Sequence, residues 1–382
     1  SSGRKTMRIG VLNDQSSLYA DMGGPGSVVA AHLAVADANL AAQGWTAEVL
    51  VADHQNKADV ASSIARQWFD AGQVDAVADV TNSAVALAVS QVAREKNKVM
   101  LASGAATSDL TGIACSPNTV HWTHDTWAFA NAIGKAVVQT GGRSWFFVTA
   151  DFAFGHALER DITRVILASG GTVVGHVVAP NDTADFSSYL LQAQASKAQV
   201  IGLANSGGDM VNSVKQAAEF GIAKGGQRLA GLLIYITDVH AIGLRYAQGL
   251  RLVSPFYWDM NDGTRAFSAR FAAERGGAKP SMVQAGTYAS ILHFAKAVAA
   301  LGNAGDGRAV VAKMKQLPTD DPLFGKGYIR ADGRKMHPMF LFRVKSPTEQ
   351  RYPWDYYAYE ATIPTEEAFR PLSEGGCPMV RA

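Results

Sequence analysis

Six short polar segments follow apolar, strand-like runs in this chain of 382 residues, and they hold most of what could do chemistry. Ser16, Ser17, Leu18 and Tyr19 follow the run at 7–12. Thr81, Asn82 and Ser83 follow 74–80, and Ser103, Gly104, Ala105, Ala106 and Thr107 follow 99–102. In the second half come 151–155 (with Phe152 and Phe154), 205–209 (with Ser206) and 235–240 (with Tyr235 and Asp238). Hydroxyls, small side chains and helix starts suit an anion without any cationic side chain, because a helix N-terminus carries free N–H donors and partial positive charge. Tyr19, Phe152, Phe154 and Tyr235 could enclose an apolar ligand body. Each segment taken singly also matches ordinary helix capping. Six of one kind on two halves favour a shared pocket.

Catalytic constellations are not supported. Gly24-Pro25-Gly26 lacks the third glycine of a dinucleotide fingerprint and stands more than ten residues beyond the first strand, so Asp53 has no nucleotide to meet. There is no GxxxxGK[ST], HExxH or GxSxG. Asp238 and His240 could form an acid–base pair, but a turn cap beside a surface histidine is the plainer account. No residue is assigned a catalytic role, and neither a cofactor nor a metal is expected. An α/β enzyme remains the least supported alternative.

Lys and Arg number 35 against 33 Asp and Glu, so the chain lacks the basic balance of a nucleic-acid binder. No apolar run approaches the ~20 residues of a membrane span. The opening residues 1–6 have no apolar core and are read as a tag remnant or the start of a processed protein, with no signal peptide. Cys115 and Cys377 sit in polar turns that look like surface loops. In a cytosolic protein two such cysteines would be free thiols, whereas in a secreted one they suggest a disulfide.

Strands expected at 7–12, 47–52, 74–80, 99–102 and 119–123 alternate with helices at 29–40, 59–71 and 84–96. The rhythm restarts with helices at 127–140, 156–169, 186–195 and 210–220 and strands at 145–149, 172–179, 200–204 and 229–236. Such alternation means parallel sheets with helices on both faces. Some nine strands exceed one comfortable sheet, so two lobes are expected. Helices at 264–274, 283–301 and 308–317 precede strand-like pieces at 339–344 and 356–360.

Ile9-Gly10-Val11-Leu12 with Leu18-Tyr19-Ala20-Asp21-Met22-Gly23, then 104–111, 151–155 and 216–221, together resemble the type I periplasmic binding proteins of the branched-chain amino acid transporter class. The likeness runs from the first strand to about Phe342. It implies an α/β fold of two lobes, each a mostly parallel sheet with helices on both faces, joined by three hinge crossovers. Lobe one would be 7–122 plus 254–330, lobe two 123–253 plus 331–360, and 361–382 a C-terminal tail. It implies an extracytoplasmic, periplasmic substrate-binding protein that closes its lobes on a small organic acid and delivers it to a membrane ABC permease. A monomer is expected, with no nucleic-acid partner. A ligand-sensing receptor domain of the same fold is the alternative. Carried over by position, the ligand set comprises Tyr19, Asn82, Ser83, Ala105, Ala106, Thr107, Phe152, Phe154, Ser206, Tyr235 and Asp238. Ser83, Ala105 and Thr107 would hold a carboxylate, and Tyr19 would stack. Phe154 replaces the Tyr expected of amino-acid binders, so only Asp238 could meet an ammonium group.

Overall fold

The computed structural model describes residues 5–380. Residues 1–4 of the opening segment and 381–382 of the expected tail lie outside the described residues. The chain divides into two compact units. The first takes Ser1–His124, Phe256–His337 and Arg370–Ala382, and the second takes Asp125–Pro255 and Pro338–Phe369. The chain therefore passes between units four times, the last passage at 369/370. The segment 361–382 is not a separate tail, because residues up to 369 belong to the second unit and those after it to the first.

The first unit opens with β1 (Lys5–Asn13), α1 (Gly24–Asp37), β2 (Trp45–Asp53), α2 (Ala58–Asp70), β3 (Ala76–Asp79), α3 (Ser83–Lys96), β4 (Val99–Ala102) and β5 (Thr119–His121). The strands are parallel, in the order β2-β1-β3-β4-β5. Every residue of β3 and β4 is buried, which is why Ala76–Ala78 and Val99–Ala102 read as unbroken apolar runs rather than alternating ones. Val77 and Met100 share a core cluster with Ala61, Ala65 and Phe69 of α2 and with Val85, Val89 and Val92 of α3.

The second unit repeats the arrangement with α4 (Thr126–Gln139), β6 (Ser144–Ala150), α5 (Ala153–Ala168), β7 (Thr172–Ala179), α6 (Ser187–Ala195), β8 (Val200–Ala204), α7 (Gly208–Glu219) and β9 (Arg228–Gly231). These strands are also parallel, in the order β7-β6-β8-β9. The strand expected to reach residue 236 ends at Gly231. Leu232 N still donates to Leu203 O of β8 at 3.3 Å, Leu233 and Ile234 stay buried past the end of the ladder, and the chain turns into α8 (Ile236–Ile242) and α9 (Leu244–Ala247). A short buried apolar run reads as strand whether or not it joins a ladder.

Beyond β10 (Arg251–Ser254) the first unit gains α10 (Asp262–Glu274), α11 (Met282–Leu301) and α12 (Gly307–Gln316). A small antiparallel sheet of β11 (Thr319–Asp321), β12 (Gly325–Ile329) and β13 (Lys335–Met336) follows. The second unit then gains β14 (Met339–Val344), β15 (Tyr357–Ile363) and α13 (Thr365–Ala368), with β14 pairing antiparallel to both β10 and β15.

Helix α11 helps to place the loop after β1. Ser281 and Gln284 form a reciprocal cap at its start. The same two side chains reach outward: Ser281 Oγ donates to Met22 O at 2.5 Å and Gln284 Nε2 to Gly23 O at 2.9 Å. Among the described residues no helix is long and apolar enough to cross a membrane.

Cys115 and Cys377 form a disulfide across 262 positions, and both ends lie in the first unit. Contrary to the expected surface loops, each cysteine is only 5% exposed.

Candidate functional site

In open parallel sheets, ligands bind beyond the carboxyl ends of the strands, where the strand order reverses. In the first unit that point lies between β1 and β3, since β1 has β2 on its other side. Three expected segments emerge there or next to it: 16–19, 81–83 and 103–107.

The turn after β3 is backbone-strained. Asp79 (φ 68°), Val80 (φ 53°) and Asn82 (φ 77°) all occupy the left-handed region that non-glycine residues avoid, Val80 being β-branched as well. The surroundings hold the turn in place. Val80 N donates to Leu12 O at 3.1 Å, and Asn82 Oδ1 accepts from Val85 N at 3.1 Å to cap α3. Thr81 Oγ1 accepts from Asp14 N at 3.1 Å, and His54 Nε2 lies 2.8 Å from Thr81 O. Asn82, expected in the ligand set, is thus a helix cap.

The strained turn and the loop after β4 are built onto each other. Ser103 N and Gly104 N both donate to Asp79 O, at 3.1 and 3.0 Å. His121 Nε2 lies 2.8 Å from Ala105 O, and Thr107 N donates to Ser83 Oγ at 3.1 Å. Thr107 Oγ1 accepts from Asp109 N at 3.3 Å, capping the short 3-10 helix Ser108–Thr111. The structure therefore brings Ser83 and Thr107 together. Each hydroxyl oxygen accepts one internal N–H, which leaves its own O–H to donate. Ala105 and Ala106 lie in the same buried loop.

Beneath this loop lies Asp79, which is fully buried. Its Oδ2 accepts from Asn13 Nδ2 at 2.9 Å, while Oδ1 has no hydrogen-bond partner. Burial pushes its carboxyl up to about 6. A Cβ at Gly104 would stand 2.3 Å from Asp79 Oδ1, so only glycine lets the loop lie this close.

Asp14 organises the loop after β1. Burial pulls its carboxyl up, but N–H donors from Tyr19, Asn56, Ser16 and Ser17 outweigh burial and hold it below the usual range. Tyr19 N donates to Asp14 Oδ2 at 2.8 Å, which fixes where the buried Tyr19 sits. Neither Asp14 nor Asp79 was among the expected residues. Asp14-Gln15-Ser16-Ser17 at a strand end carried the signal of an Asx turn. Asp79 carried none, since its partner Asn13 lies 66 positions away.

The second unit has its reversal point between β6 and β8. Phe152 caps α5 in extended conformation, and its ring lies 5.7 Å from that of Phe154. Ser206 is buried just before Gly207, the N-cap of α7. Tyr235 is buried, and Asp238 Oδ2 accepts from its N–H at 3.0 Å, so this carboxylate serves as a helix cap. His240 stacks on Trp354 at 4.0 Å and lies 2.6 Å from Tyr356 Oη through Nδ1. Asp238 thus caps α8, while His240 meets Trp354 and Tyr356. Asp209 accepts from Thr183 N at 2.8 Å and Asp182 N at 3.1 Å, and burial pushes it up to about 6.

Two chemistries result. The strand ends of the first unit gather Ser83, Thr107 and helix starts beside Tyr19, and those of the second gather Phe152, Phe154 and Tyr235 beside Ser206. Among the described residues, no group of three or more His, Cys, Asp or Glu side chains is placed to hold a metal.

Comparison with known proteins agrees with this fold. A family model described as periplasmic binding protein matches residues 6–350. A periplasmic binding protein from Burkholderia mallei is 48% identical, with a TM-score of 0.95 over 99% of this chain and 100% of that one. A branched-chain amino acid ABC transporter periplasmic ligand-binding protein from Burkholderia xenovorans is 41% identical, with a TM-score of 0.85 over 98% and 99%. An ABC transporter solute-binding protein from R. palustris, solved with benzoate, shares the fold at 19% identity and a TM-score of 0.84 over 98% and 99%. The Leu/Ile/Val-binding protein homolog 6 of Brucella melitensis is 24% identical over 259 residues, which cover 66% of this chain. The match spans 64% of that relative's length, less than two thirds.

Proposed function

The chain belongs to the periplasmic binding protein family, and from that premise we propose that it captures a small organic acid outside the cytoplasm, as a monomer, and delivers it to the membrane permease of an ABC importer. One observation carries the reading. Ser83 and Thr107, from separate segments, are held together by an internal N–H bond that leaves both hydroxyls set to donate. A carboxylate needs donors without a desolvated counter-charge, and hydroxyls beside helix starts supply them. Tyr19 would stack on the ligand, and Phe152, Phe154 and Tyr235 would cover its apolar part. Contact with ligand would shift the population of conformers, which is what a permease reads. The disulfide suits an oxidising compartment.

We favour an aromatic or aliphatic acid. Phe154 has no hydroxyl to offer an ammonium, and one oxygen of Asp238 is engaged by Tyr235 N. An amino acid is the second reading, favoured by the presence of Asp238 at the end of this segment. A thermal-shift screen of benzoate, 4-hydroxybenzoate, hexanoate, leucine and valine tests it, because binding to the native state alone raises the midpoint. A rise with the first three and not with the last two supports the acid reading. A rise with leucine or valine alone replaces it with the second.

A further inference from the structure

We infer that Arg370 is a positioning residue for the loop 103–111, holding it from behind in the shape that presents Thr107 to ligand. The inference rests on the reading of that loop as ligand-binding, and it adds a residue from the last passage of the chain.

Arg370 Nη2 donates to Ser108 O at 3.0 Å, one residue beyond Thr107. Arg370 is itself held, because its carbonyl accepts from Arg330 Nη1 at 2.9 Å. Arg330 is fixed in turn by an ion pair with the buried Asp332, at 2.8 Å. The turn that carries Arg330 and Asp332 also reaches the other end of the loop. Gly333 O accepts from His121 N at 2.9 Å, and His121 Nε2 lies 2.8 Å from Ala105 O. A closed circuit results: Ala105, His121, the 330–333 turn, Arg370 and Ser108. Thr107 sits inside it.

The chain around Arg370 has no ladder to hold it, since 370–380 contains only the 3-10 turn Leu372–Glu374. The Cys115–Cys377 disulfide supplies the anchor, joining it to the segment that leaves the 3-10 helix Ser108–Thr111. Packing there is close. A Cβ on Gly112 would stand 2.8 Å from both Arg370 Nη2 and Gly375 O. The guanidinium is therefore wedged against the loop it bonds.

The loop backbone has few alternatives for its shape. Asp79 O holds Ser103 N and Gly104 N, and Ser83 holds Thr107 N. Helix α11 holds the start of the loop through Thr287 Oγ1, 2.8 Å from Ser103 Oγ, and the carbonyls of Ala105 and Ser108 are gripped further along. Removing the Ser108 grip frees the half of the loop that carries the Thr107 cap.

The test compares Arg370→Ala and Arg370→Lys with the natural protein. Amide hydrogen exchange reports local opening without any ligand. Arg370→Ala is expected to speed exchange at 104–112 by about tenfold, the weight of one hydrogen bond from a charged donor. The amides of β1, β3 and β4 should stay unchanged, and Arg370→Lys, which keeps a donor, should fall between. Calorimetric titration with benzoate and with leucine should show the same order for whichever of the two the natural protein binds. Unchanged exchange at 104–112 overturns the inference. So does a rise spread evenly over β1, β3 and β4, which would mean lost stability and no positioning. If the natural protein binds neither probe, the carboxylate reading fails, while the exchange data still decide the role of Arg370.

Discussion

The two units share a sheet order, with the second strand outside, the first and third at the centre and the fourth beyond, yet they spend their polar groups differently. In the first unit the groups at the reversal point bond to one another, Asn13 to Asp79, Asp14 and His54 to Thr81, and Thr107 to Ser83, around a strained turn and the loop after β4. In the second unit the carboxylates of Asp209 and Asp238 cap backbone of their own surroundings, and the ring pair Phe152–Phe154 occupies the strand end. On the proposed reading, one topology would supply an anion grip in one unit and an apolar cover in the other. The strand ends fix where ligand chemistry goes, and the side chains fix which chemistry it is.

The largest expected difference between the units is in their response to acid. His54 (about 4), His124 (about 3) and His293 (about 4) are all depressed by burial, and His121 is also held well below the usual range by burial and by Arg334. All four lie in the first unit. The unfolded chain takes up protons at these histidines below pH 6.5 while the folded unit does not, so their stabilisation is lost as pH falls from 6.5 toward 4. Asp79, raised to about 6, acts oppositely, because the folded unit keeps its proton and gains relative stability over the same fall. Burial raises Asp75 and Asp321 as well, and they act in the same sense as Asp79, but the four histidines titrate across this window and set a net loss in the first unit as pH falls toward 5. In the second unit Asp209, raised to about 6, gains in the same window. Urea unfolding at pH 7 and 5, read by hydrogen exchange corrected for intrinsic rate, should show the first unit weakening ahead of the second. Equal weakening would break the comparison.

Next in size is the disulfide. Cys115→Ser with Cys377→Ser should cost the first unit about 4 kcal/mol, because a long closed loop is released in the unfolded chain. Melting followed separately in the two units should show the loss in the first only. An equal loss in both would mean that the units do not unfold as separate entities.

Thr107→Val removes one donor to a charged group and should weaken carboxylate binding by about 1–3 kcal/mol in calorimetry. Phe154→Leu keeps most of the buried volume and removes the ring. It should lower affinity for benzoate by about 1 kcal/mol relative to hexanoate. If Thr107→Val changes selectivity among ligand bodies and Phe154→Leu changes overall carboxylate affinity, the division of labour is reversed.

Much of this was legible in the sequence because parallel strands buried on both faces leave apolar runs between amphipathic helices. The run 229–236 misled because Leu233 and Ile234 are buried beyond the end of the ladder at Gly231, which no periodicity reveals. The loops that carry Tyr19, Ser83, Thr107, Phe154 and Tyr235 were visible as strand-end segments. Their internal bonds were not. Asn82 and Asp238 each also cap a helix, an engagement set by the local turn that composition alone does not reveal. Asp79 and Arg370 left no local mark because their partners are distant in sequence, 66 positions for Asp79 and Asn13 and 262 for Arg370 and Ser108. The placement of Cys377 within the first unit depended on a fourth passage of the chain at 369/370 that the rhythm of strands does not announce.

The central claim is that the first unit grips a carboxylate. The most direct measurement is calorimetric titration of matched pairs, benzoate against benzamide and leucine against leucinamide, which keep the ligand body and remove the negative charge. The account predicts that at least one acid binds, and binds about tenfold or more tightly than its amide, the worth of hydrogen bonds to a charged acceptor over a neutral one. An amide that binds as well as its acid, or no binding by either acid, would contradict it.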